Sequence, residues 1–71
     1  MVRYLVVFEK TDTGFSAYAP DLPGCIATGP DKKEVENSIF EAIKFHLEGL
    51  KEENMEIPEG IAESEILAFN N

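Results

Sequence analysis

A small α+β domain with the order strand–strand–strand–helix–strand is what this 71-residue sequence predicts. Three observations predict it. Residues 2–28 alternate apolar and polar positions between clusters of Gly, Pro and Asp, the signature of short strands joined by tight turns. From Asp31 the pattern changes to helical spacing, sustained for about 20 residues. Beyond Pro58 and Gly60 a last β-prone run, Ile61–Phe69, follows.

Val2, Tyr4, Val6 and Phe8 put one apolar face on a first strand over residues 2–10, and Leu5 with Val7 makes its other face apolar too. Apolar character on both faces predicts a strand that is central, or one whose second face meets a partner. Thr11-Asp12-Thr13-Gly14 is a hairpin-type connection in which Gly14 is free to adopt positive φ. Phe15–Ala19 is a second strand, antiparallel to the first because the link is short. Pro20 ends it, lacking an N–H to donate. Pro23-Gly24 suits the central positions of a type II turn, and Cys25–Thr28 forms a third strand that completes an antiparallel meander.

Asp31 has the chemistry of a helix N-cap, and Glu34 three residues on predicts a capping box. Val35, Ile39, Ala42/Ile43, Leu47 and Leu50 then form an apolar stripe, which predicts a helix over residues 32–52. Gly49 weakens its last turn, and Phe45 points away from the stripe. Residues 54–60 read as a loop. A strand returning after a helical crossover lies parallel to its neighbour with right-handed connectivity, which places the fourth strand beside the first.

Length allows one domain, spanning residues 1–71. A chain this short buries a marginal core, and its single cysteine offers no internal disulfide, so a homodimer or higher homo-oligomer is the expected reinforcement. No apolar run approaches the roughly 18 residues of a membrane helix, and Tyr4–Phe8 is too short for a secretory signal; the expectation is a cytoplasmic protein with no membrane contact. Fourteen acids against six bases give a net charge of −8. Residues 31–71 hold eleven of the acids and four of the bases. Such a surface repels phosphate, which argues against direct nucleic-acid binding, and attracts basic proteins.

Catalytic arrangements are not in evidence. His46 is the one histidine and Cys25 the one cysteine; together they fall short of the four ligands of a structural zinc site. Cys25 reads as a small buried hydrophobe and His46 as a partly packed side chain. Gly14, Gly24 and Gly29 are separate turn glycines rather than a phosphate cradle. The reading is of a non-enzyme with no metal and no cofactor.

The run Gly14-Phe-Ser-Ala-Tyr-Ala-Pro-Asp-Leu-Pro-Gly-Cys25, then Thr28-Gly29, then a capped helix carrying Asn37 and Glu41-Ala42-Ile43, resembles HicB-like antitoxins over about residues 2–60. Glu53–Pro58 is also similar to that family's segment after the helix. The resemblance implies a truncated ribonuclease H-like fold. It also implies a role in a type II toxin–antitoxin system, binding and neutralising a small basic HicA-type toxin that cleaves mRNA. Many members continue into a DNA-binding domain that this sequence does not show, so operator binding by this chain is not expected. Pro30 stands where the family usually has an acidic or small polar residue, a local departure. Nuclease chemistry on such a fold needs converging carboxylates. The middle of the first strand is Leu5-Val6-Val7, with no acid.

For partner binding, the rigid turn Asp21, Leu22, Pro23 and Gly24 and the helical residues Phe45, Glu48 and Glu52 are the candidates. Asp21 is positioned to accept a charge-assisted hydrogen bond from a basic residue, and Glu48 and Glu52 present two charges beside Phe45. The alternative is a stand-alone homo-oligomeric domain of the same fold, binding a small ligand at its subunit interface.

Overall fold

The computed structural model describes residues 1–71. Three strands, β1 (Val7–Lys10), β2 (Phe15–Tyr18) and β3 (Ile26–Gly29), form an antiparallel sheet in the order β1-β2-β3, and one helix, α1 (Lys32–Glu52), packs across it. The register pairs Val7 with Tyr18 and Tyr18 with Ile26. It thereby sorts side chains into an inner face with Phe8, Phe15, Ala17 and Ala27 and an outer face with Val7, Tyr18 and Ile26.

The first strand is shorter than residues 2–10. With Val7 opposite Tyr18, Val6 faces Ala19 at the end of the ladder and residues 2–5 lie opposite Pro20 and the turn beyond it, where no ladder exists. Tyr4 and Val6 nevertheless pack against the core. The β1–β2 link closes by Thr11 N–H donating to the Gly14 carbonyl (2.9 Å) and Gly14 N–H donating to Thr11 Oγ1 (3.0 Å). Gly14 is not in the positive-φ region. A Cβ there would overlap the Gly29 carbonyl oxygen and sit 2.8 Å from Pro30 Cα, so close approach of the hairpin to the end of β3 is what requires glycine.

Between β2 and β3 two successive turns fold over each other: Leu22 N–H donates to the Ala19 carbonyl (3.0 Å) and Cys25 N–H to the Leu22 carbonyl (3.1 Å). Gly24 at φ 93° occupies the type II position that Pro23-Gly24 predicts. The helix starts and stops where its chemistry dictates. Asp31 Oδ1 accepts from Glu34 N–H at 2.9 Å, and the reciprocal arm of the capping box does not form. At the other end, Met55 N–H reaches the Leu50 carbonyl and Asn54 N–H the Lys51 carbonyl, with Asn54 at φ 56°. This is a Schellman closure with Asn in the usual place of Gly.

The core is Ala17, Ala19, Leu22, Cys25, Val35 and Ile39, six buried residues ringed by Tyr4, Val6, Phe8, Phe15, Ala27 and Ile43. α1 lies over β3 and β2 rather than β1. Lys32 reaches across the top of the sheet, its Nζ 5.0 Å from the Phe8 ring centroid, a cation–π contact.

The fourth strand does not form. Residues 56–71 make no backbone–backbone hydrogen bond, and Ile61–Phe69 has no regular structure. The segment touches the domain at its beginning: Tyr4 Oη donates to the Pro58 carbonyl (2.6 Å), and Gly60 lies against the Arg3 carbonyl closely enough that a Cβ would collide with it. Asp21 Oδ2 then accepts from both Ile61 N–H (3.1 Å) and Ala62 N–H (3.0 Å). Asp21 follows β2, on the side of β1 opposite its free edge, so this anchor leads the chain away from the edge where a fourth strand would pair. Ile66, Leu67 and Phe69 are consequently left in solvent.

Candidate functional site

The turn after β2 and the C-terminal half of α1 meet in an open surface groove of about 450 Å³, lined by Gly24, Cys25, Ala42, Phe45, His46, Gly49, Leu50 and Glu53. Two sequence features assemble it. The double turn carries its Pro23-Gly24 tip to the helix, because Leu22 and Cys25 on either side are drawn into the core. Gly49, with nothing within 4 Å of a notional Cβ, leaves the floor open. Phe45 is 79% exposed at the rim. Glu48 and Glu52 are exposed three and seven residues further on, on the same side of the helix. The groove thus has an apolar floor, an aromatic rim and an acidic border.

The seven residues singled out from the sequence divide. Gly24 and Phe45 share the groove, Pro23 is exposed at the tip, and Glu48 and Glu52 flank the rim. Leu22 is only 1% exposed and is a core residue that holds the turn down, so it is unavailable to a partner. Asp21 is half-buried and its Oδ2 is taken by the two tail amides. Its observed role is to anchor the chain beyond Gly60, in place of the exposed acceptor expected. Sequence reasoning missed His46, Gly49 and Glu53 as lining residues. Gly49 and Glu53, four and eight residues from Phe45, fall on its side of the helix, a spacing the sequence carries. His46, one residue on, faces about 100° away and has no such signal.

Two groups titrate away from their ordinary values. Burial raises the Cys25 thiol, which keeps it protonated and poorly nucleophilic at neutral pH. Burial, and secondarily the negative charge of Asp21, raises the Tyr4 phenol, which keeps its proton on the bond to Pro58. No three His, Cys, Asp or Glu side chains gather in a way that would hold a metal ion. No helix is long and apolar enough to cross a membrane.

A three-stranded meander backed by one helix, with a turn–helix groove bordered by acids, defines a small acidic α+β domain. Its family follows from comparison with known proteins. Residues 4–69 match the model of the HicB-like antitoxins of bacterial toxin–antitoxin systems, and the chain belongs to that family. A UPF0150 protein of Thermoplasma acidophilum is 40% identical over 63 residues, covering 87% of this chain and 91% of that protein. A protein encoded in the rep-hol intergenic region of Haemophilus phage HP1 is 38% identical over 55 residues; the match covers 78% of this chain but only 41% of the phage protein. Among solved structures, a chain of the HicA3 and HicB3 toxin–antitoxin complex superposes with a TM-score of 0.67 at 30% identity. That superposition covers 84% of this chain and 70% of the other.

Proposed function

We propose that this chain is a non-catalytic antitoxin that binds a small basic HicA-type toxin and neutralises it by covering its RNA-binding surface. The observation that carries the reading is the likeness to a chain of a toxin–antitoxin complex, at 30% identity over most of both chains. The groove supplies a physical means. Phe45 offers an exposed aromatic anchor, of the kind that dominates interface energetics. The double turn is rigid and loses little entropy on binding. Glu48, Glu52 and Glu53 attract Lys and Arg of a cationic partner. Inhibition by occlusion asks for no chemistry from this chain. Its net charge of −8 opposes direct contact with RNA or DNA, and the truncated ribonuclease H-like architecture then serves as a scaffold. The chain works in the cytoplasm, where its toxin acts, as a homodimer or higher homo-oligomer that supplements its six-residue core.

The test is titration calorimetry with a purified small basic HicA-type toxin, using wild type and Phe45→Ala/Glu48→Lys/Glu52→Lys. All three positions are exposed, so the fold is kept. A loss of at least tenfold in affinity, with unchanged circular dichroism, is the expected result. Equal affinity would remove the groove from the interface. No binding by the wild type would favour the stand-alone domain.

A further inference from the structure

A second groove, about 430 Å³, runs between the first strand segment and α1, lined by Val2, Tyr4, Val6, Phe8, Ile39, Phe40, Ile43 and Leu47 with Glu36 and Lys44 at its margins. It exists because α1 lies over β2 and β3 and leaves the inner face of residues 2–8 without a cover. The edge beside it is also open, since β1 pairs with β2 alone. An apolar groove next to an unpaired strand edge is the receiving half of a strand-addition site.

The donating half is in the same chain. Residues 63–69 are exposed and form no backbone–backbone hydrogen bond. In extended conformation Leu67 and Phe69 fall on one face, Ile66 and Ala68 on the other. That two-sided apolar pattern matches the first strand, whose inner Val6 and Phe8 and outer Leu5 and Val7 both want apolar neighbours. Seven residues span about 23 Å as a strand, the length of Val2–Phe8. Asp21 holds Ile61 and Ala62 beside the turn after β2, and from that anchor the segment leaves its own β1 edge unpaired. The long dimension of the molecule, 49 Å, well exceeds the roughly 31 Å of its 21-residue helix.

We propose that residues Glu63–Phe69 of one copy pair as a strand along the free edge of the first strand of a second copy. Leu67 and Phe69 enter the groove between that strand and α1, reciprocally about a two-fold axis. The occupant is a second copy because each chain carries one groove and one matching segment, so the exchange closes with neither left over. This deepens the homodimer part of the proposed function and is independent of its toxin part.

Two full-length variants test it by light scattering after size-exclusion chromatography. Leu67→Asp/Phe69→Asp alters the donated segment, and Phe40→Asp alters the rim of the groove at a side chain 65% exposed in the monomer. The expected result is a wild-type dimer, a twofold fall in mass for each variant with helical circular dichroism retained, and partial recovery of dimer when the two are mixed, since one intact groove then meets one intact segment. A monomeric wild type, or a tail variant that stays dimeric, overturns the proposal. Toxin affinity measured on the monomeric variants keeps the two readings apart: it survives if only the exchange is lost.

Discussion

Tyr4 and Asp21 are the two side chains that hold the chain beyond the helix to the domain, and both are near neighbours across the end of the sheet. Tyr4 donates to the Pro58 carbonyl and Asp21 accepts from Ile61 and Ala62. Burial, then the Asp21 charge, raises the phenol's pKa, so the folded chain binds that proton more tightly than the unfolded one. Its stability contribution is full below the ordinary tyrosine value of about 10 and is lost as pH rises through the raised folded value. Cys25 moves in the same direction by burial, so its contribution is full below about 8.5 and falls away above it. Stability measured by urea unfolding should therefore decline with pH on the alkaline side. Cys25→Ala should flatten the lower part of that decline and Tyr4→Phe the upper part. A decline unchanged in both variants would show that neither proton is held by the fold.

At the scale of elements, α1 has the bounds that the Asp31 cap and the apolar stripe predict, because a helix is specified by signals inside and next to itself. Gly49 is its one weak position. An alanine there meets nothing within 4 Å and gains about 0.5–1 kcal/mol in helix propensity. Gly49→Ala is therefore expected to raise stability by that amount in chemical denaturation, while the added methyl narrows the groove beside Phe45 and weakens partner binding. A variant that is no more stable would place a constraint on this turn that the isolated chain does not show. Strands were less legible than the helix. The alternation of residues 2–10 is real, yet pairing begins only at Val7, because the partner strand is cut off by Pro20. Ile61–Phe69 has strand composition without a strand, because β-structure needs an edge to pair with and Asp21 directs the segment elsewhere. The candidate site was legible where local chemistry sufficed, at Pro23-Gly24 and Phe45. It was not at Asp21, whose partners lie 40 and 41 residues away, nor at Leu22, whose burial depends on where α1 packs.

For the whole molecule, charge and apolar surface pull association in opposite directions. Residues 31–71 carry most of the excess of acids, spread over the exposed side of α1 and the segment after it. Two such copies repel each other, and that repulsion acts over about 10 Å at 0.1 M salt but only about 3 Å at 1 M. The proposed exchange is driven by burying Ile66, Leu67 and Phe69, a gain that added salt does not weaken. Self-association is therefore expected to tighten as sodium chloride rises from 0.05 to about 0.5 M, a change governed by screening length. The proposed binding of a basic toxin to the Glu48–Glu53 border has the reverse sign, since the same screening removes attraction, and its on-rate should fall by about tenfold or more. Sedimentation velocity of the chain alone and stopped-flow binding of the toxin, run across one salt series, measure both slopes. Opposite signs are the signature of two distinct surfaces on one small acidic domain. A toxin on-rate indifferent to salt would mean that the acidic border does not steer the partner, and self-association that weakens with salt would mean that ion pairs rather than the donated strand hold the copies together.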